Sequence, residues 1–332
     1  MPRAGELGIH IGDLQPGRYD AITDVDGVRV GHATVIEGDD VRTGVTVVVP
    51  PELPLFAGCH RLNGNGELTG LEWVRESGFL TSPIGITNTF SVGVVRDAIA
   101  AASADEDAWS LPVVGETYDG FLNDARGQHI TDEHARQALA DARGGEVAEG
   151  NVGGGTGMVC HGYKGGIGTA SRVADGYAVG VLVQANHGRR NRLRVNGTPI
   201  PSNSLLQGEK EGGGSIIGIV ATDAPLLPHQ CDRLAQRAGL GVARMGGLGE
   251  NSSGDLFFAF ATGNRKLDGH EQPLTLEMLP NERINPLFEA VVDATEEAIV
   301  NALLAAETMT GREGRTVYAL DLVVLQDAIK RA

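Results

Sequence analysis

The sequence predicts an α/β protein made of sheets covered by helices. Three observations predict it: short apolar runs intermixed with helical patterns, no regular βαβ rhythm, and 48 glycines scattered through apolar segments instead of gathered in a linker. Strands that are apolar on both faces need cover on both faces. The 332 residues allow two domains or one large layered unit with a well-filled core. Hydrophobic residues at 41% and charged residues at 21% exclude a disordered chain.

The elements follow in chain order. Ile22 to His32 alternates, and Thr43 to Pro50 is rich in β-branched residues, so both read as strands. Leu68 to Asn88 is mixed. Ser91 to Ala102 is helical in pattern, and Thr131 to Ala142 opens on a capping Thr-x-x-His followed by strong helix formers. Gly153 to Gly157 and Lys164 to Gly168 read as glycine-rich loops, and Tyr177 to Ala185 as a buried strand. Ser215 to Thr222 and Leu256 to Ala261 are further buried strands. Pro228 begins a helix with Cys231, Leu234, Ala238 and Val242 at helical spacing. Pro286 begins a long one to about Glu307, with Leu287, Val291, Ala294, Ala298, Ala302 and Ala305 on one face and a close near Gly311.

Charge and motifs exclude several function classes. A net charge of -16, with Arg189 to Arg192 as the one basic cluster, excludes a nucleic-acid surface, and that run reads as a solvated loop. Cys59, Cys160 and Cys231 lie far apart without ligand spacing, so neither a disulfide framework nor a zinc site is expected. The nine histidines show no paired spacing, so no metal is expected and His32 and His187 read as structural. The glycine-rich loops complete neither a Walker nor a dinucleotide fingerprint, so no cofactor is expected and backbone packing is the better reading. No stretch approaches the ~20 apolar residues of a membrane span, and the N-terminus has no apolar signal region, so a cytoplasmic protein is expected.

One serine stands in a setting that chemistry can use. Ser253 follows the glycine-rich Gly246 to Ser252 and precedes a buried strand, a layout suited to a strained loop that is cut to leave a serine at the head of a rigid strand. A freed α-amine has a pKa of ~7.7–8.0 and can act as the base for its own hydroxyl. Ser-Gly-Asp is equally an ordinary turn, so spacing alone leaves both readings open.

Ordered motifs bear on that choice. Ile22-Thr-Asp-Val with Gly27 to His32, Gly115-Glu-Thr-Tyr-Asp119 with Leu122-Asn123, Glu149 to Gly157, Lys164 to Arg172, Gln184-Ala-Asn-His-Gly188 and Asn251 to Asp255 resemble the motifs of the DmpA family. These are the L-aminopeptidase/D-amidase/D-esterase and β-aminopeptidase enzymes, and the similarity runs from about Ile22 to Gly311. The resemblance implies an αββα sandwich shared with ornithine acetyltransferases, forming one catalytic unit over residues 1–332. It further implies self-cleavage before a Ser or Thr. Carried onto this sequence, the cut falls between Ser252 and Ser253, giving chains 1–252 and 253–332 that stay together in an oligomer, a tetramer of αβ units. The tandem serines leave Ser252 as a rival, with a cut after Asn251.

The supporting residues are expected from position and resemblance together. Asn186, after a buried strand, is the expected oxyanion donor, and Asp223 is a weaker rival because a carboxylate cannot donate unless protonated. Thr295 and Glu297 resemble the Ser/Thr-x-Glu pair that contacts the nucleophile's amine, although residues two apart on a helix point about 200° from each other. Glu116 and Tyr118, read as loop residues, are expected to neutralise an amino terminus and to line the pocket. The implied activity is release of N-terminal residues from small peptides, amino-acid amides or esters through an acyl-enzyme on Ser253. Acyl transfer on the same fold, or an unprocessed binding protein, stands as the alternative.

Overall fold

The computed structural model describes residues 2–102, 109–202 and 214–331. Two sheets lie face to face, each covered by helices on its outer side. The first has strand order β1-β2-β5-β6 and comprises β1 (Arg29–Glu37), β2 (Val41–Val49), β5 (Ile84–Asn88) and β6 (Val113–Thr117). The second has order β4-β3-β10-β9-β8-β7: β4 (Phe79–Leu80), β3 (Leu55–Gly64), β10 (Gly254–Ala261), β9 (Ser215–Thr222), β8 (Tyr177–Asn186) and β7 (Gly166–Ala174). β5 with β6 and β9 with β10 run parallel; the other pairs are antiparallel.

Three apolar clusters fill the gaps between the layers. Val45, Val47 and Val114 pack with α2 (Val92–Ala101) and α3 (Asp132–Ala140). Val48, Ile84 and Ile86 of the first sheet meet Ile217, Ile219, Leu256, Phe258 and Phe260 of the second. The alternate residues Ile216, Val220, Phe257 and Ala259 pack on α4 (Pro228–Arg244) and α5 (Asn285–Ala305). The period of two that sends neighbouring side chains to opposite faces thus divides β9 and β10 between two cores. The result is the αββα sandwich the resemblance implies.

The helices approach the sheets unusually closely, and glycine allows it. A Cβ at Gly168 of β7 would lie 1.9 Å from the Ala298 carbonyl of α5, and one at Gly31 of β1 would lie 2.0 Å from the Ala138 carbonyl of α3. This explains why Lys164 to Gly168 reads as a glycine-rich loop, yet from Gly166 onward it belongs to β7. α5 is buried all round from Asp293 to Leu304, not on one face alone, because the N-terminal segment with Ile9 and Ile11 covers its far side.

Other boundaries also depart from expectation. Ile22–Asp24 forms a short helical turn, so the first strand begins only at Arg29. The Asp24 carboxylate holds that turn by accepting from the Tyr19 and Ala21 amides at 2.9 and 3.1 Å. α5 ends at Ala305, two residues before the expected Glu307, and it is closed by an extended Ala306 and not by Gly311. The helices α1 (Leu71–Ser77) and α6 (Leu322–Lys330) and the strand β3 have no counterpart in the sequence reading. Among the described residues, no helix is long and apolar enough to cross a membrane.

Candidate active site

Strand register gathers the site. Asn186 pairs with Ser215, Ile216 with Asp255, and Gly254 with Gly64, so the end of β8, the starts of β9 and β10 and the end of β3 lie together at one edge of the second sheet. Ser253 heads β10 there and is 2% exposed. Its hydroxyl donates to the Asp255 carboxylate at 2.6 Å, and its amide donates to the Glu250 carbonyl at 2.7 Å. The Ser252 carbonyl accepts from Asn65 Nδ2 at 2.8 Å, while Asn63 Nδ2 reaches the carbonyls of Glu250 and Ser253 at 2.7 and 2.5 Å. The peptide bond between the two serines is therefore held from one side by the end of β3. Burial pushes the Asp255 carboxyl up to about 6 against the Ser253 hydrogen bond, which lowers it.

A cavity of about 1040 Å³ opens beside this bond, lined by Asn65, Ser252, Ser215, Asn186, Glu116 and Tyr118 among others. That is the upper end of the range for small-molecule sites. Asn186 is fixed by accepting from the Val159 amide at 2.7 Å and donating to the Tyr118 carbonyl at 3.0 Å. An amide nitrogen carries two hydrogens, so one N–H remains for a ligand. Glu116 lies inside β6, not in a loop, and one of its oxygens accepts from the Glu67 amide at 3.0 Å while the other accepts from the Thr89 hydroxyl. Burial pushes its carboxyl up, and a cationic group placed in the cavity would draw it back down. Tyr118 is 43% exposed and packs edge-on against Phe90, forming the rim.

Residues 20–317 match peptidase family S58. The chain is 46% identical to the beta-peptidyl aminopeptidase BapA of Sphingosinicella microcystinivorans, over 99% of this chain and 92% of that protein. The chain belongs to peptidase family S58. A solved beta-aminopeptidase of Burkholderia sp. superposes on it with a TM-score of 0.92 at 52% identity, covering 99% of both chains. The L-aminopeptidase D-Ala-esterase/amidase of Ochrobactrum anthropi, a prototype for the serine aminopeptidases and a variant of the Ntn-hydrolase fold, gives a TM-score of 0.91 at 41% identity, covering 100% of this chain and 99% of that one. The protein is a hydrolase, a serine aminopeptidase or amidase of S58 type with the Ntn-like fold that implies self-processing.

Within this S58 fold the structure does not bring Thr295 or Glu297 to the cavity, which corrects the expectation for both. The Thr295 hydroxyl donates to the Val291 carbonyl at 2.7 Å, and its side chain lies against Gly241 of α4. Glu297 pairs with Arg172 of β7, beside Asp20. The helical angle between positions two apart sends one to the neighbouring helix and the other to the sheet. Asp223, the rival to Asn186, sits at the opposite end of β9 and accepts from the Ala178 amide at 2.8 Å.

Arg190 is not solvated. It is buried at the cavity wall, its guanidinium 4.4 Å from the centre of the Tyr163 ring and donating to the Gly162 carbonyl. The two glycine-rich segments hold each other: the buried Lys164 ammonium donates to the Gly165 and Gly155 carbonyls at 2.8 and 3.3 Å, and a Cβ at Gly154 would lie 2.1 Å from Gln184 Oε1.

Among the described residues one group has metal-ligand character: Cys160, His161 and His187 each place a ligand atom within 4.8 Å of the others. Burial pushes the Cys160 thiol up to about 12 and holds both imidazoles well below their usual range. Lys164 lies near enough to act on the same thiol, and its ammonium form would repel a second cation there. Asn63, Asn65 and Ser215 line or flank the site without having been expected there, since side-chain amides and hydroxyls on remote strands carry no local signature.

Proposed function

We propose that this protein releases N-terminal residues, β-amino acids among them, from short peptides and amides, with Ser253 as its nucleophile after a cut between Ser252 and Ser253. The observation that carries the reading is the convergence on one cavity of the Ser252 end of that bond, an amide donor at Asn186 and a buried carboxylate at Glu116. After cleavage the Ser253 hydroxyl would attack the substrate carbonyl, with its own α-amine as base. The free N–H of Asn186 would meet the oxyanion. Glu116 would hold the substrate's ammonium group, and Tyr118 would close over it at the rim.

The β-amino preference rests on the β-peptidyl and β-aminopeptidase relatives at 46% and 52% identity. A tetramer of two-chain units is the assembly the resemblance suggests. Three cysteines without a disulfide fit a reducing cytoplasm.

Intact mass measured under denaturing conditions tests the cut. The expected result is two polypeptides corresponding to 1–252 and 253–332, together with turnover of β-alanyl p-nitroanilide. An uncut 34.7 kDa chain that still hydrolyses the substrate, or a cut before Ser252, would overturn the assignment.

A further inference from the structure

We infer that Arg312 and Arg315 bind the free carboxylate of the residue that leaves, so that peptides charged at both ends, dipeptides foremost, are preferred over amides and esters of the same acyl group. The inference rests on the reading that Glu116 takes the substrate's ammonium group and Asn186 its carbonyl oxygen.

The cavity is charged unevenly along its length. Glu67 and Glu116 line one end, close enough that Glu67 adds to the rise of the Glu116 carboxyl. Arg96 of α2 also lines that end and is paired with Asp97 at 3.0 Å. Two residues after Glu116, the Tyr118 carbonyl accepts from Asn186 Nδ2 at 3.0 Å, and three residues later the Phe121 carbonyl accepts from the Arg315 guanidinium at 3.4 Å. The segment from Glu116 to Phe121 thus lays out acid, amide and guanidinium in that order, with the oxyanion donor in the middle.

The basic end is built on a braced turn. Met309–Thr310 pairs with Thr316–Val317, and the Gly311 amide donates to the Arg315 carbonyl at 2.9 Å across the loop between them. The Arg312 amide donates to the Leu122 carbonyl at 2.8 Å, and a Cβ at Gly311 would lie 2.2 Å from that same oxygen, so glycine lets the turn sit directly against the segment after Phe121. The Lys164 amide holds the following Tyr318 carbonyl at 2.8 Å. Arg312 and Arg315 share one carboxylate, Glu313, which Arg312 meets at 3.1 Å. Arg42, against Gly311, and Asp40, which accepts from the Glu313 amide at 3.1 Å, add one charge of each sign. One positive charge is left in excess. A guanidinium has five N–H groups, and Arg315 uses one on Phe121 and one on Glu313, so the rest can take a second carboxylate. A dipeptide would then be held by its ammonium group at Glu116 and its carboxylate at the arginines, which turns the bond between toward Asn186. An amide, an ester or a longer chain brings no charge to that place.

The test is steady-state hydrolysis of β-alanyl-alanine, which ends in a carboxylate, against β-alanyl-alaninamide, which does not. Wild type is expected to favour the acid about tenfold in kcat/KM, through KM. Arg312→Gln combined with Arg315→Gln is expected to bring that ratio close to one. Alanine is expected to inhibit wild type at about tenfold lower concentration than alaninamide, a comparison that needs no variant. Glu116→Gln is expected to raise KM for both substrates alike and to leave the ratio in place. A wild-type ratio near one, or a double variant that keeps the wild-type ratio, would overturn the inference while Glu116 retains its role. A double variant inactive on both substrates, with alanine and alaninamide inhibiting wild type equally, would overturn it too. No change in KM for either substrate with Glu116→Gln, or no hydrolysis of either by wild type, would instead sink the reading of the cavity beneath it.

Discussion

Two buried polar clusters flank the second sheet, and they differ in what they leave available. At the head of β10, Asn186 keeps an N–H for a ligand, Asp255 has an oxygen without a partner, and Glu116 sits beside an open cavity with its carboxyl pushed up by burial. Between β7 and α5, charges close on one another: Arg172 pairs with Glu297 and lies 3.6 Å from Asp20, and Arg3 pairs with Glu149 at 2.9 Å. The first cluster holds hydrogen-bonding capacity beside a cavity, and the second pairs its charges within the fold, even though Arg3 Nε and Arg172 Nε make no hydrogen bond there. An acidic residue on a helix next to the active-site sheet therefore proves nothing about chemistry until its partners are known, and Glu297 has Arg172.

Four substitutions break or sharpen that contrast. Ser253→Ala should lose at least about 10⁴-fold in kcat, as removal of a nucleophile does, and intact mass should show it uncut. Arg172→Met should act on the other cluster, leaving Glu297 buried without its cation at a cost of about 3–5 kcal/mol. Denaturant unfolding should register that loss while kcat of the folded enzyme holds; a collapse of kcat at unchanged stability would place the ionic cluster in the chemistry after all. Asn186→Ala, in chain that has matured, should reduce kcat by about 10²–10³-fold with little change in the unfolding midpoint. Glu116→Gln can keep the Glu67 hydrogen bond and loses the charge, so steady-state kinetics should show KM raised about tenfold and kcat nearly constant.

Much of the fold was legible because two-sided burial writes itself as unbroken apolar sequence: β8, β9 and β10 stand out for that reason, and α4 and α5 by their period. What escaped has a physical cause in each case. β7 hides behind glycines that α5 needs for close packing, and β3 mixes half-buried Cys59 and His60 with exposed Arg61 and Leu62, so no alternation survives. α6 is a short helix whose opening depends on Asp321 accepting from Val323 and Val324. At the site, Ser253 was locally an ordinary turn residue and became a candidate through the ordered motifs. Thr295 and Glu297 were misplaced because a motif says nothing about which way a helix faces. Asn63 and Asn65 were out of reach because they meet the serines across roughly half the chain, through register alone.

β10 is a central strand, bonded to β3 on one side and β9 on the other, and α5 that follows it is buried on every side from Asp293 to Leu304. A cut at its head would therefore sever the chain without loosening the molecule, since separating the pieces means pulling a middle strand and an enclosed helix out of the core. The cost would appear only after unfolding. A nicked enzyme must find its other half by diffusion before it can refold, so recovery would become dependent on concentration, and maturation would exchange a reversible single-chain equilibrium for a lifetime set by the unfolding barrier.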